Sequence, residues 1–310
     1  MGNTIEISKF SQFYGRKQVL YNINLQIGQG MFGLLGANGA GKTTLMRTLA
    51  TLLPLRAGNI RICGVPVSDV GQIRRMIGYL PQDFSVYPSM TVREAMDYMG
   101  ILSGMPGRRR QQRTEMLLEQ VNLTAHANKK VKALSGGMRQ RLGMAQALLH
   151  DPKVLIVDEP TAGLDPEERI RLRELLSDEA RKRIVILSTH IVGDVEVSCE
   201  DIAVLGRGRL LYQGSIAGAI ELTKGHVFEM NVSQRELEYL KQEHPVTNVR
   251  AEGRGIRVRF LSENLIPGAQ PAEPGLEDAY VFCQHRAAIP RRSGAAGRKG
   301  AGDHAVSERM

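Results

Sequence analysis

Cysteine and tryptophan are scarce in this chain of 310 residues, which contains three cysteines and no tryptophan. Cys63, Cys199 and Cys283 lie far apart and form no CxxC pair. A disulfide framework or a zinc site needs more cysteines at closer and regular spacing. The sequence therefore argues against both and favours three isolated, partly buried thiols.

Long apolar runs are also missing. The longest, such as residues 154–157 and 184–187, fall well short of the roughly 18 to 20 residues that span a bilayer. The segment from Met1 to Glu6 lacks the charged and apolar pattern of a secretory signal. It also has glutamate where myristoylation requires serine or threonine. We therefore expect a cytosolic chain that can still dock on a membrane protein.

The overall composition is that of an ordinary globular protein, with 42% apolar and 24% charged residues. Intrinsic disorder of the whole chain is thereby excluded. Basic residues outnumber acidic ones by 41 to 32, which gives a net charge of +9. Such an excess fits nucleic acid, an anionic membrane surface or a phosphate-bearing ligand. Part of this positive charge lies at residues 108–110 and 113, which we interpret as a solvated helix face. Another part lies at residues 286–310, which contain six basic and two acidic residues.

The order of the patterns predicts an α/β core interrupted by helices. Alternating apolar residues predict strands within residues 4–35, and helical spacing dominates residues 92–149. Continuous apolar runs at residues 154–157 and 184–187, with a helix at 166–181 between them, are typical of parallel strands covered on both faces. Such alternation indicates a parallel sheet with a separate helical lobe.

We place the domain boundaries where the pattern of apolar and polar residues changes. Residues 1–221 form the main α/β domain, with the helical lobe at about residues 84–149. Residues 222–286 form a small α+β appendage, in which residues 276–285 fit either a short helix or a strand. Residues 287–310 are small and basic without periodicity, and we predict a disordered tail.

The strongest motif is a phosphate-binding loop between a predicted strand and a predicted helix. It fits the pattern GxxxxGK[ST] and consists of Gly36, Ala37, Asn38, Gly39, Ala40, Gly41, Lys42 and Thr43, with Thr44 beside it. The glycines let backbone N–H groups curl around phosphate oxygens, and the helix start adds unpaired donors. Lys42 supplies a positive charge to the terminal phosphates, and Thr43 offers a hydroxyl to Mg²⁺.

An acidic pair follows the apolar run at residues 154–157. Asp158 would stand at the carboxyl end of a strand, where open α/β sheets bind their ligands. It can support Mg²⁺, directly or through water. Glu159 stands one residue further on and can polarise an attacking water.

A second anion-binding helix start stands between these motifs. Ser135 can cap the helix that begins with Gly136 and Gly137. The simplest interpretation is a capped helix with two glycines. The alternative is a second contact with phosphate.

With these residues, the sequence resembles the ATP-binding-cassette (ABC) ATPases over about residues 4–220. The resemblance rests on an ordered set: Tyr14, the phosphate loop, Gln82 in GYLPQ, the signature Leu134-Ser135-Gly136-Gly137-Met138, Asp158-Glu159, Gly163-Leu164-Asp165 and His190. Met138 replaces the usual glutamine of the signature. Singly, Tyr14, Gln82 and His190 would each be interpreted as structural residues, but their order and surroundings favour the family.

The resemblance implies the fold of a P-loop NTPase cassette, ATP and Mg²⁺ as cofactors, and a role for each motif. Tyr14 would stack on adenine, Thr43 and Gln82 would ligate Mg²⁺ with support from Asp158, and Asp165 would relay across a dimer. Glu159 would be the general base, and His190 would contact the γ-phosphate. Ser135, Gly136 and Gly137 would bind the nucleotide held by a paired cassette.

The resemblance also implies partners. A chain without its own span would power a separate transmembrane permease from the inner face of the membrane, as a homodimer or a paired cassette. Details such as Gly-Tyr-Leu-Pro-Gln are similar to bacterial multidrug and small-molecule exporter ATPases. The alternative is a soluble ABC ATPase linked to nucleic acid. The chain lacks the second cassette, coiled coils and zinc insertion of such relatives, and we therefore expect no nucleic-acid partner.

Overall fold

The computed structural model describes residues 3–253 and 255–288. Three β-sheets, one large and two smaller, organise this part of the chain. The strands are β1 (Ile5–Tyr14), β2 (Lys17–Ile27), β3 (Gly30–Gly36), β4 (Ala57–Ile62), β5 (Val65–Pro66), β6 (Ile77–Leu80), β7 (Val154–Asp158), β8 (Ile184–Thr189), β9 (Asp201–Gly206), β10 (Arg209–Ser215), β11 (Val227–Val232), β12 (Val246–Glu252), β13 (Gly255–Leu261) and β14 (Gln270–Pro271).

Ten α-helices lie in the described ranges. They are α1 (Lys42–Leu49), α2 (Val70–Met76), α3 (Val92–Leu102), α4 (Gly107–Gln120), α5 (Gly136–Leu148), α6 (Pro166–Ala180), α7 (Val192–Ser198), α8 (Ile216–Glu221), α9 (Gln234–Glu243) and α10 (Leu276–Ala288). None of these helices combines the length and the apolar character needed to cross a bilayer.

The central sheet has the strand order β10-β9-β3-β8-β7-β6. From β9 to β6 neighbouring strands are parallel, and β10 is antiparallel to β9. Every residue of β7 and β8 is buried, which explains their continuous apolar sequences, because helices and a second sheet cover both faces. This confirms the predicted α/β core.

The second sheet, of order β2-β1-β4-β5, covers one face of the central sheet. Its alternating apolar residues share a buried cluster with β3, β7 and β8, in which Phe10, Leu20 and Ile60 are fully buried. The cluster also takes in Leu45 and Met46 of α1. The helix that follows the phosphate loop is therefore fixed between two sheets.

Helices α3, α4 and α5 are inserted between β6 and β7, which are neighbours in the central sheet. Thr91 accepts a hydrogen bond from the Glu94 N–H and Glu94 accepts one from the Thr91 N–H, which forms a capping box at the start of α3. Leu117 and Leu118 of α4 pack with Leu142 of α5 in one buried cluster.

A third sheet, of order β12-β13-β11-β14, forms the C-terminal sheet. Helix α9 packs on it through Leu237 and Leu240. Helix α10, which the sequence leaves open between helix and strand, contacts α7, α8, β9 and β10 of the preceding part. The predicted tail at 287–310 falls almost wholly outside the described residues.

Helix α2 and strand β12 are two of the elements that the sequence pattern does not predict, and both bury little. Helix α2 buries only Ile73, and β12 buries none of its residues completely. An element that buries so little carries almost no apolar periodicity. The two-residue strand β14 lies within the proline- and glycine-containing segment of residues 267–274.

Candidate functional site

The parallel register brings four strand ends to one edge of the central sheet. Leu35 of β3 lies opposite Thr189 of β8, and Asp158 of β7 lies opposite Ser188. Leu80, at the end of β6, lies opposite Val157. The loops that follow these strands therefore meet, at the edge where open parallel sheets bind their ligands.

The phosphate loop has a backbone that only glycine allows at its critical positions. Gly39 and Gly41 adopt φ values of 81° and 108°, in the left-handed region that disfavours side chains. A Cβ at Gly41 would also lie 2.5 Å from Cδ2 of Leu20. Gly41 is the residue before α1 and has no side chain to cap it. The first N–H groups of α1 are therefore left for an anionic ligand.

Lys42 is buried at the floor of this loop, with 5% of its surface exposed. Its Nζ donates a hydrogen bond to the Gly36 carbonyl at 2.6 Å and lies 3.3 Å from Oε1 of Glu159. The ammonium is thus fixed between the strand that enters the loop and the acidic residue that follows β7. A buried ammonium with one carboxylate partner is well placed to bind phosphate oxygens.

Glu159 connects Lys42 to His190. Nδ1 of His190 donates to Oε2 of Glu159 at 2.7 Å, because an ionised carboxylate can only accept. Glu159 itself is 5% exposed and adopts φ 51°, an uncommon conformation for a residue with a side chain. His190 leaves 46% of its side chain exposed. The imidazole therefore lies between the carboxylate and the open side of the site.

Asp158 is fully buried behind Glu159 and accepts a hydrogen bond from Oγ of Ser188 at 2.8 Å. Within the described residues, its other oxygen, Oδ2, is buried without a hydrogen-bond partner. Such an oxygen is costly unless a further donor or a cation satisfies it. Burial raises the pKa of the nearby Tyr79 to about 12, with the charge of Asp158 adding to the effect, so this phenol stays neutral.

One cavity of about 340 Å³ joins the predicted residues from distant parts of the chain. Its walls include Lys42 and Thr43 of α1, Gln82 after β6 and Glu159 after β7. The remaining lining residues are Val19, Ala37, Asn38, Gly39, Gly41 and Thr44. A single cavity is thus lined by glycine backbone together with ammonium, hydroxyl, amide and carboxylate groups.

Other predicted residues lie outside this cavity. Tyr14 is 47% exposed at the end of β1 and does not line it. Ser135 caps α5 by accepting from the Met138 N–H at 3.2 Å, so Gly136 and Gly137 begin that helix as predicted. Asp165 caps α6 by accepting from the Glu168 N–H at 2.8 Å.

Sequence reasoning missed two polar contacts behind the site. Ser188 positions Asp158, and the pairing of the two strand ends could have revealed it. Oγ1 of Thr161 donates to Oδ2 of Asp194 at 2.6 Å, and both residues are buried. This bond ties the loop after Glu159 to α7, which follows His190, and no local sequence pattern indicates it.

A strand, phosphate loop and helix beside an acidic strand end define a phosphate-loop NTPase. The chain also matches the family model described as ABC transporter over residues 20–162. It is 36% identical over 242 residues to the uncharacterised ABC transporter ATP-binding protein YxlF of Bacillus subtilis, covering 78% of this chain and 80% of that one. It is 40% identical over 222 residues to the Nod factor export ATP-binding protein I of Paraburkholderia xenovorans, covering 70% and 72%.

A solved structure, the dimeric bacterial ABC transporter cassette MJ0796, superposes with a TM-score of 0.62 at 27% identity, covering 68% of this chain and 98% of that one. The chain belongs to the ABC transporter ATP-binding family. It is an ATP-binding, ATP-hydrolysing subunit of a transporter, and such subunits work with a transmembrane subunit and form dimers. The nucleic-acid alternative receives no support from these comparisons.

Proposed function

We propose that this chain couples Mg²⁺-dependent ATP hydrolysis to an exporter permease, from the cytoplasmic face of the membrane. The observation that carries the proposal is the single cavity in which Lys42, Thr43, Gln82 and Glu159 meet. These residues come from three separate places in the sequence and supply phosphate-binding, metal-ligand and carboxylate functions. Hydrolysis of a nucleoside triphosphate needs all of them at once.

Each side chain has a distinct role in the proposed reaction. Glu159 orients a water and accepts its proton as the oxygen attacks the γ-phosphorus and the bond to the β–γ bridging oxygen breaks. ADP and inorganic phosphate are the products. Lys42 and the loop N–H groups stabilise the charge on the phosphate oxygens, and His190 contacts the γ-phosphoryl group. The Glu159–His190 bond holds the imidazole beside the carboxylate that it assists.

The residues present fit a magnesium ion. Thr43 and Gln82 line the cavity, and Asp158 offers a buried oxygen with no partner among the described residues. Hydroxyl, amide and carboxylate oxygens are the ligands that Mg²⁺ accepts alongside phosphate. Within the described residues no cluster of three or more His, Cys, Asp or Glu side chains forms a metal cage, as expected for a cation held mainly by its nucleotide. When bound, the ion would neutralise phosphate charge.

Ser135, Gly136 and Gly137 would contact the nucleotide of a second cassette. They lie outside the nucleotide cavity of their own chain, and nothing lies within 4 Å of a Cβ built on Gly136. The start of α5 is therefore open on the side of Gly136, while the Glu168 side chain lies beside Gly137, 3.2 Å from a Cβ built there. MJ0796, which this chain resembles, has been solved as a dimer. Tyr14 would stack on adenine, and Asp165 would lie at the contact between cassettes.

An apolar groove at the start of the helical lobe would receive the permease. It measures about 380 Å³, and its walls include Tyr87, Pro88, Tyr98 and Met99. The rings of Tyr87 and Tyr98 meet edge to face at 5.6 Å, and Tyr87 is 57% exposed. Phe84, by contrast, packs toward Gly143 and Leu80. The exposed tyrosine, rather than the phenylalanine, is the side chain available to a partner.

The permease proposal is tested by Tyr87→Ser, with Tyr239→Ser on α9 as the matched control, because Tyr239 is 67% exposed. We expect Tyr87→Ser to lose copurification with its transmembrane permease subunit, and to lose transport. Basal ATPase activity should be unchanged in both variants. Normal permease binding by Tyr87→Ser would reject the groove as the docking site.

The export direction rests on similarity to a protein named for Nod factor export. Transport into inside-out vesicles, measured with the reconstituted permease, would support it. Accumulation only in right-side-out vesicles would show an importer and overturn this part of the proposal.

A further inference from the structure

A second, basic pocket lies where α2 meets the turn between α3 and α4. It measures about 400 Å³, and three arginines line it together with His150: Arg74, Arg75 and Arg109. Leu102 and Met105 provide an apolar wall. No carboxylate is among its lining residues in the described part of the chain. This pocket is separate from the nucleotide cavity and from the apolar groove.

Acidic residues close in sequence to this pocket include Asp69, Asp97 and Asp151, and each has a partner outside it. Asp69 accepts hydrogen bonds from the backbone and side-chain N–H groups of Gln72. Asp97 forms an ion pair with Arg110. Asp151 lies 3.0 Å from Arg183 and 3.7 Å from Arg113, and it is close enough to Arg109 for the two charges to attract.

The pocket arginines make only neutral contacts among the described residues. Arg74 donates to Oγ1 of Thr51 at 2.9 Å, and Arg75 donates to the Gly71 carbonyl at 3.2 Å. Neither they nor Arg109 form an ion pair within the described ranges. Three guanidinium groups therefore share one concave surface, and none of them lies within ion-pair distance of a carboxylate in the described ranges. Arginine is the side chain best suited to bind phosphate through several N–H donors at once.

His150 lines the pocket without adding charge. Its Nε2–H donates to the Ile77 carbonyl at 3.1 Å. Burial lowers the pKa of His150, and the nearby Arg113 contributes to this effect. The ring is thus neutral at physiological pH, and the positive charge of the pocket comes from its arginines.

Exposed leucines flank the same surface. Leu102 lines the pocket and is 63% exposed. Leu52 is 55% exposed and follows Thr51, the hydrogen-bond partner of Arg74. Leucines beside unpaired arginines are typical of surfaces that lie at the boundary between lipid headgroups and acyl chains. A soluble phosphate would gain nothing from them.

We propose that this pocket binds the phosphate group of an anionic phospholipid, with Leu52 and Leu102 at the acyl boundary. Its position agrees with the proposed permease groove, on which this part of the inference rests. Tyr98 of the groove and Leu102 of the pocket are four residues apart on α3, and hence lie one turn apart on the same face. A permease docked in the groove would bring the pocket near the headgroups of its bilayer.

The test is vesicle cosedimentation of the full chain without permease. Vesicles of phosphatidylcholine alone are compared with vesicles that also contain phosphatidylglycerol. Each arginine near an anionic surface strengthens binding by roughly fivefold, so Arg74→Gln with Arg109→Gln should weaken binding to phosphatidylglycerol vesicles about thirtyfold. The matched control is Arg235→Gln with Arg250→Gln, two exposed arginines in the C-terminal part with the same change in net charge. We expect this control to change binding by less than about threefold.

Leu102→Ser is a second variant that leaves all charges in place and, being exposed, should fold normally. We expect it to weaken binding to the same vesicles. Equal losses in the pocket and control pairs would show that net charge alone governs binding, and would overturn the proposal. Displacement by inorganic phosphate, with no effect of Leu102→Ser, would show a free-phosphate site and overturn the lipid assignment. ATPase activity and permease copurification of the same variants report on the transport function independently.

Discussion

Glu159 and His190, 31 residues apart in the chain, are joined by a hydrogen bond of 2.7 Å at the edge of the central sheet. The bond exists because β7 and β8 are parallel neighbours that end in register, with Asp158 opposite Ser188. Lys42 reaches the other oxygen of the same carboxylate at 3.3 Å. The buried carboxylate of Glu159 is thus the common partner of the Lys42 ammonium and the His190 imidazole.

Replacing Glu159 by glutamine should abolish turnover and preserve ATP binding. The amide keeps the size and a hydrogen-bonding oxygen but cannot accept the proton of an attacking water, so we expect hydrolysis to fall about 100-fold or more. Steady-state phosphate release and equilibrium nucleotide binding, measured together, check this. The control is Glu238→Gln on α9, whose side chain is 59% exposed. Near-normal hydrolysis by Glu159→Gln would remove this carboxylate from the mechanism.

Replacing Lys42 by alanine should weaken ATP binding and stop turnover. The substitution removes a charged donor to phosphate, and a charged hydrogen bond is worth about tenfold to hundredfold in affinity. It also leaves Glu159 buried beside an empty position. Lys241→Ala, in an exposed pair with Glu238, is the control and should bind ATP normally. Binding of ATP by Lys42→Ala with unchanged affinity, measured by fluorescent-nucleotide titration, would contradict this role.

Alanine at Gly41 should destabilise the protein, whereas alanine at Gly107 should not. At Gly41 the φ of 108° is strained for any side chain, and the new Cβ would lie 2.5 Å from Leu20. We expect a loss of about 1–3 kcal/mol in the free energy of unfolding. Gly107 begins α4 with no heavy atom within 4 Å of an added Cβ. Equal denaturant midpoints for the two variants would show that the loop tolerates a side chain.

Acid should weaken the C-terminal sheet through Glu229. The hydrogen bond from Arg259 holds the pKa of Glu229 below its usual 4.5, with Arg257 contributing. A carboxylate with a lowered folded-state pKa stabilises the protein above pH 4.5, and this contribution is lost as the pH falls through the folded-state value. Unfolding of Glu229→Gln should therefore depend less steeply on pH below about 4.5 than unfolding of the unsubstituted chain. If the free energies of unfolding of the two proteins changed equally with pH in this range, the ion pair between Glu229 and Arg259 would not contribute to stability.

The elements that carry the site could be predicted because they are strongly patterned. The runs at 154–157 and 184–187 are apolar throughout, since β7 and β8 are buried on both faces, and the phosphate loop has a fixed pattern of glycines. Pairing between distant segments was harder to predict. The Ser188–Asp158 and Thr161–Asp194 bonds depend on strand order and helix placement, which no local window contains.

Elements that bury few residues were also difficult to predict from the sequence. Helix α2 carries two arginines of the basic pocket, yet it buries only Ile73 and so gave no periodic signal. The cluster at residues 108–110 was interpreted as one solvated face, whereas the structure divides it. Arg110 pairs with Asp97, and Arg109 lines a pocket. Charge by itself does not indicate which arginines already have partners.

The contacts of α10 also bear on how the chain is made. Leu276, Ala279 and Cys283 belong to the same buried cluster as Val195 of α7 and Ile202 of β9. During synthesis, the surface around α7 and β9 therefore stays uncovered until the segment that forms α10 has left the ribosome. Since α7 follows His190, the last described helix completes the packing behind a loop that we propose to be catalytic and that was translated much earlier. A nascent chain halted before α10 would expose an apolar surface that chaperones and proteases recognise.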